Sequence, residues 1–255
     1  GAISVELENN ILTSNTKPGI EIEGGGIKNL TNNILENNNV GIRCSGGASV
    51  YKLANNTLKN GSTGIDCSSS SIKELYKNTI ENFTEAIKLS HATDICSISG
   101  NDITKNNIGI YCDDTGIVSP KNKTITYNNI SFSNTGIYCR YSSPQITIGN
   151  NISNNNLAIY LSGASAEVDY LNNTFENNAE GILLQEWYLK IRVRADTENV
   201  KDAQVVVKDN RGTEVLNGTT SYEGRIEGWV AQYKRLNDNS VESYTPHTVA
   251  ANKTY

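Results

Sequence analysis

Residues 32–44 read NNILENNNVGIRC, and close relatives of this phrase return at residues 128–139 as NNISFSNTGIYC and at residues 172–184 as NNTFENNAEGILL. Aligned on the second Asn of each doublet, the phrase occurs eight times, at Asn10, Asn33, Asn56, Asn78, Asn101, Asn129, Asn151 and Asn173, with intervals of 23, 23, 22, 23, 28, 22 and 22. A fixed period of this length marks a stacked architecture in which each unit buries its face on its neighbours. The repeat stops near Gln185, so two domains are expected, at 1–187 and 188–255.

Reading down the aligned units gives columns. Two places after each Asn stand Leu12, Leu35, Leu58, Ile80, Ile103, Ser131, Ser153 and Phe175, mostly core residues. Further on, a Gly-Ile or Ala-Ile pair supplies Ile20, Ile42, Ile65, Ile87, Ile110, Ile137, Ile159 and Ile182, which must point inward. Two residues later come Ile22, Cys44, Cys67, Leu89, Cys112, Cys139, Leu161 and Leu184, on the same strand face by the two-residue period. The position between faces outward and reads Glu21, Arg43, Asp66, Lys88, Tyr111, Tyr138, Tyr160 and Leu183. Parallel rungs lie about 4.8 Å apart, so alternating charges and adjacent rings along this column stabilise an in-register coil. A third strand per coil is read from Leu7, Leu30, Leu53, Leu75 and Ile98, with Ile27, Val50, Ile72 and Ile95 three residues earlier, a spacing that implies a bend. The Asn column is expected to be buried, each amide bonding the next rung and the turn backbone, with Asn also suited to left-handed turns.

The quoted units resemble right-handed parallel β-helix repeats of the pectate-lyase-like superfamily, nearest the NosD-like repeat proteins. The resemblance covers about residues 1–187 and implies an all-β solenoid of about eight rungs. It is much less specific for activity, because that superfamily holds lyases, hydrolases, epimerases, adhesins and structural proteins.

From Tyr188 the chain changes to YLKIRVRADTENVKDAQVVVKDNRGTEV, alternating strands with an Asn-Arg-Gly turn at 210–212 and an Asn-Gly turn at 217–218. This stretch resembles the transthyretin-like or immunoglobulin-like β-sandwich modules appended to archaeal and bacterial surface and sheath proteins. Its last strand begins after Pro246 and runs to the C-terminus.

Composition narrows the function classes. A net charge of -5 with scattered Lys and Arg lacks the basic stripe of a nucleic-acid binder, and no run approaches the length of a membrane span. Only His91 and His247 are present, and the five Cys make no CxxC, so zinc and haem readings have little support. The chain enters the repeat at Gly1 without a signal peptide or an amphipathic capping helix, as expected of a processed or excised form whose open rung is a template for pairing.

Four site readings follow. A lyase on this fold would need adjacent-rung carboxylates that hold Ca²⁺ or face an acidic sugar, plus a proton-moving group; His91, Asp113, Asp114, Arg140 and Tyr141 are the residues that qualify, against the plainer reading of turn residues and a surface ion pair. Cys44 with Cys67, and Cys112 with Cys139, fall on neighbouring rungs at a separation that permits a disulfide, but parallel side chains favour buried thiols serving as small hydrophobes; Cys96 has no partner in the pattern. Ten Asn-X-Ser/Thr sequons occur, of which Asn60, Asn82, Asn122 and Asn217 fall in turns or in the long insert and are the best acceptors of N-linked glycan, with unmodified polar turns as the alternative. The Tyr111, Tyr138 and Tyr160 column is a platform for sugar rings, a face for another subunit, or simply cross-rung packing. Taken together, the expectation is an extracellular structural protein that assembles with copies of itself into a surface layer, sheath or filament, without enzymatic activity and without a resident cofactor. The alternatives are a Ca²⁺-dependent polysaccharide lyase and a glycan-binding surface protein.

Overall fold

The computed structural model describes residues 5–91, 94–113, 124–142, 144–164 and 167–253, and every regular element among them is a strand. The repeat region winds into a parallel β-solenoid of about seven turns, each turn contributing up to three strands to three faces. One face carries short strands such as Ile34–Glu36, Asp102–Thr104 and Asn151–Ser153. A second is built from Pro18–Glu23, Val40–Ser45, Ile108–Asp113, Thr135–Arg140 and Leu157–Ser162, and the long strands Thr57–Ser68 and Thr79–Ser90 belong to both. The third runs from Glu6–Glu8 through Ser49–Ala54 to Glu167–Val168.

The repeat forces this winding because like side chains meet in register. Ile42 pairs with Ile65, Ile65 with Ile87, Ile87 with Ile110, and Ile110 with Ile137, all fully buried. Each such isoleucine withdrawn from water contributes about 1.5–3 kcal/mol. The residue before it is Gly or Ala for a steric reason. A Cβ on Gly64 would sit 2.5 Å from the Ala86 carbonyl oxygen and 2.8 Å from Ile80 Cγ2.

The corners explain the Asn doublets. In each of three coils the first Asn of the pair, Asn9, Asn32 or Asn55, takes φ near +60, and Lys77, Gly100, Tyr127 and Gly149 do so in later coils. Asn tolerates this left-handed conformation better than most residues, so the turn residue is the one before the ladder Asn. The second Asn then turns its amide inward.

This geometry corrects two rungs of the expected ladder. Asn128 and Asn150 occupy it and are 1% exposed, whereas Asn129 and Asn151 stand one place later, on the outer surface. There Asn129 donates to Asp102 at 2.7 Å and Asn151 donates to Asn129 at 3.0 Å. The inward residues of those rungs are accordingly Ile130 and Ile152, in register with Ile103, in place of Ser131 and Ser153. A similar one-residue shift closes the solenoid. Ile159 pairs with Leu183 rather than Ile182, Leu161 with Gln185 rather than Leu184, and Leu184 takes the outward position beside Tyr160.

The shift coincides with the strand Gly181–Arg192, which crosses the expected domain boundary without a break. Its first half continues the parallel solenoid sheet, and along its length it pairs antiparallel with Arg225–Arg235, so the last rung is covered by a strand from the C-terminal part. Asn237 Nδ2 also donates to the Asn178 carbonyl of the last coil at 2.6 Å. Beyond it, Glu214–Thr219, Gln204–Lys208 and Thr248–Asn252 form a three-stranded antiparallel sheet in that order. Residues 210–212 make the turn between the first two of these in sequence, with Gly212 at φ +84. The Asn217-Gly218 pair lies inside the strand Glu214–Thr219, and the turn expected there instead falls at Ser221 to Gly224, where Gly224 N–H donates to Ser221 O.

Candidate functional site

Two Asn ladders run through the solenoid. In the first, each rung repeats one pattern: Asn33 donates its backbone N–H and its Nδ2 to Asn56 Oδ1 at 3.0 and 2.9 Å, and Nδ2 also reaches the Leu7 and Thr31 carbonyls. The same double donation links Asn10 to Asn33, Asn56 to Asn78, Asn78 to Asn101, Asn101 to Asn128, Asn128 to Asn150 and Asn150 to Asn173. Sequence reading missed a second ladder five residues on, through Asn15, Asn38, Asn106, Ser133, Asn155 and Asn178. Once Asn128 and Asn150 are placed in the first ladder, the spacing of five becomes regular in the sequence. Gly61 and Phe83 interrupt it as a matched pair: the Phe83 ring fills the space beside Gly61, where a Cβ would lie 2.8 Å from it. These amides are consumed by the fold and offer a ligand nothing.

The expected lyase patch lies along the outward column that follows the Cys column. Ser90, Asp113, Arg140 and Ser162 are register neighbours in successive rungs. Asp113 accepts a hydrogen bond from the Tyr111 hydroxyl at 3.0 Å and pairs with Arg140 across 3.8 Å. Partial burial, reinforced by this bond to Asp113, pushes the Tyr111 hydroxyl up to about 12. So held, Tyr111 keeps its proton at neutral pH and is not a ready general base. His91 and Tyr141 occupy left-handed corner positions, each at φ +51, with His91 N–H bonded to the Asp113 carbonyl at 2.9 Å. Arg140 lies over the Tyr141 ring at 5.6 Å, and Tyr141 in turn meets Trp229 of the C-terminal part at 5.9 Å. Asp114 and the sequon residue Asn122 lie outside the described residues.

The Tyr column is stacked upon itself. Tyr111 and Tyr138 are 5.2 Å apart and tilted by 53°, and Tyr138 and Tyr160 are 4.7 Å apart at 21°. Tyr160 also donates to Glu186, and burial together with that bond raises its hydroxyl well above the ordinary range. Upstream in the column, Arg43 bridges Glu21 at 3.6 Å and Asp66 at 3.3 Å, but Lys88 turns to Glu85 of its own strand at 2.9 Å.

Cys44, Cys67, Cys112 and Cys139 are fully buried, with Cys44 in register with Cys67 and Cys112 with Cys139. Burial pushes the Cys44 thiol up to about 12, so it is not a thiolate at neutral pH. The Cys96 side chain lies outside the described residues. Asn60 and Asn82 are exposed and form an outer ladder with Asn37, at 2.9 and 2.8 Å, while Asn217 is exposed on its strand and bonded to Gln204 and Glu214.

Among the described residues no helix is long and apolar enough to cross a membrane, and no three His, Cys, Asp or Glu side chains stand together as a metal site would require. A family model described as a right handed beta helix region matches residues 63–223, and one described as periplasmic copper-binding protein (NosD) matches residues 3–117. No protein of curated function and no solved structure matches the chain. Among the described residues the donor set does not fit copper. His91 sits at a solenoid corner, His247 in the C-terminal part, and the Cys44 thiol is sealed in the core with its proton held.

Proposed function

The chain belongs to the right-handed β-helix family, whose model covers residues 63–223, and on that footing we propose that it is an extracytoplasmic structural protein that associates with copies of itself. The observation that carries this reading is the strand Thr248–Asn252. All five of its residues are exposed, none is charged, and it pairs on one side only, with Gln204–Lys208. Such an edge presents unpaired N–H and C=O groups to any second strand. Lys253, the neighbouring charge that could guard the edge, points its ammonium at the Lys201 carbonyl instead, at 2.5 Å.

The far end of the solenoid is a poorer contact, because Arg225–Arg235 covers the last rung of the second face. The periplasmic description of the NosD family, matched over residues 3–117, and the exposed sequons Asn60, Asn82 and Asn217 support an extracytoplasmic location and a glycosylated surface. A Ca²⁺-dependent lyase has less support, since Asp113 is engaged by Tyr111 and Arg140.

Sedimentation velocity and negative-stain electron microscopy across a hundredfold concentration range test the reading. Concentration-dependent polymers are expected, and Val249→Lys with Ala251→Lys should return them to monomer by placing charge on the edge. A wild-type chain that remains monomeric throughout, or polymers indifferent to the lysines, would overturn it.

A further inference from the structure

The ribbon formed by Gly181–Arg192 and Arg225–Arg235 has two unlike faces. On one, Ile226 and Gly228 meet Gly218 and Leu216 of the neighbouring sheet, and that face is packed. On the other, register places Tyr188 opposite Trp229, Lys190 opposite Glu227, and Arg192 opposite Arg225. Lys190, Arg192, Arg225 and Glu227 are all exposed. With Arg194 they line an open groove of about 620 Å³, four cations against one carboxylate, in a chain that as a whole carries more acid than base, 27 to 22.

Like charges gathered this closely repel one another, and the fold neutralises them poorly. Arg225 reaches Glu223 at 3.0 Å and Lys190 lies over the Tyr188 ring at 5.6 Å, but Arg192 and Arg194 make no ion pair among the described residues. Two residues along both strands from Lys190 and Glu227 stands an aromatic cluster: Trp229 is flanked by Tyr188 at 5.0 Å and by Tyr141 from the solenoid corner at 5.9 Å. Arg140 caps the Tyr141 ring.

We propose that this strip binds an acidic polysaccharide, with a sugar ring against Trp229 and Tyr141 and its carboxylate or sulfate groups on Lys190, Arg192, Arg194 and Arg225. Each part follows from the chemistry of the side chains. Guanidinium forks match planar or tetrahedral oxyanions in bidentate geometry, and an aromatic face accepts the apolar C–H face of a sugar while its polar rim stays wet. Lys190 and Arg192 stand two residues apart on one strand, about 6.6 Å along it, and Arg194 opens the next strand, Arg194–Ala195, on the same groove, so an extended polyanion can meet them in series. The aromatic rings are tilted to one another by 58° and 49°, which suits one ring seated in a notch better than successive stacked bases. The site is separate from the edge strand Thr248–Asn252, so self-association and glycan binding stand or fall independently.

The test is binding of the full chain to polygalacturonate, dextran sulfate, uncharged dextran and a single-stranded thymidine oligomer, by calorimetry at two salt concentrations. Binding to polygalacturonate, to dextran sulfate or to both is expected, weakening with salt and absent for dextran; which of the two binds identifies the anion. The pair Arg192→Ala and Arg225→Ala should lose about tenfold in affinity or more with an unchanged melting curve, and Trp229→Leu should weaken the glycan further. No binding, equal binding of dextran, tighter binding of the oligonucleotide, or unchanged affinity in either variant would overturn the proposal.

Discussion

Asn56 donates both its backbone N–H and its side-chain Nδ2 to the Oδ1 of Asn78, each at 3.0 Å. Asn78 passes the arrangement on to Asn101 and also bonds the Leu53 and Tyr76 carbonyls. Removing one such amide therefore strands several buried partners at once. Asn78→Ala is expected to cost about 3–4 kcal/mol in chemical denaturation, and Asn78→Asp more, because an acceptor-only carboxylate cannot donate to Asn101 Oδ1 or to the two carbonyls that Nδ2 faces. A loss under about 1 kcal/mol would show the ladder to be incidental.

Gly61 and Phe83 should behave as a coupled pair. Gly61→Asn alone meets the Asn38 carbonyl and the Phe83 ring, and Phe83→Asn alone leaves a cavity, so each single substitution is expected to destabilise by about 2 kcal/mol or more. Together they remove the contact between the new side chain and the ring, leaving only the approach to the Asn38 carbonyl. A double-mutant cycle should give a favourable coupling of about 1–3 kcal/mol, and simple additivity would argue against the swap.

Alkaline stability follows from two protons held back by burial, complete for Cys44 and partial for Tyr111. Cys44 has its thiol raised from 9.0 to about 12 and Tyr111 its hydroxyl from 10.0 to about 12. For a group whose folded value is raised, the folded state holds more protons, so stability is complete below the unfolded value and falls as pH rises through the folded one. Loss is therefore expected from about pH 9 to 12, where Cys44→Ala and Tyr111→Phe should flatten the curve. The Cys44 thiol should also resist alkylation at pH 8 until the protein unfolds.

Asp113→Asn and Arg140→Ala each remove an ion pair at the surface, and the expected cost is about 1 kcal/mol or less. Tyr138→Ala removes two ring contacts and is expected to cost about 1–3 kcal/mol. Polyuronate binding should be unaffected by Tyr138→Ala, since Tyr138 lies in the solenoid column and not among the residues lining the cationic groove. Calorimetric melts and the same binding assay check both.

Much of the scaffold was legible because a solenoid repeats its demands. Ile42, Ile65, Ile87 and Ile110 must stack in register about 4.8 Å apart, and a period that returns Gly-Ile to one column is visible without coordinates. Identical neighbours were not legible. Asn128 and Asn129 are the same residue type, and only the inward placement of Ile130 tells which amide enters the ladder; the second ladder was hidden behind that one-residue error.

The sequence by itself determined the parallel winding, its three-strand coil, and the buried Ile and Cys columns, because these rest on local periodicity that every coil repeats. Tertiary structure decided what is unique. The slip from Ile182 to Leu183 accompanies the closing strand Arg225–Arg235, and the strip joining Tyr141 to Trp229 and the four cations exists only where that strand meets a solenoid corner. Contacts between segments far apart in the chain carry no period, so no column of the repeat could announce them.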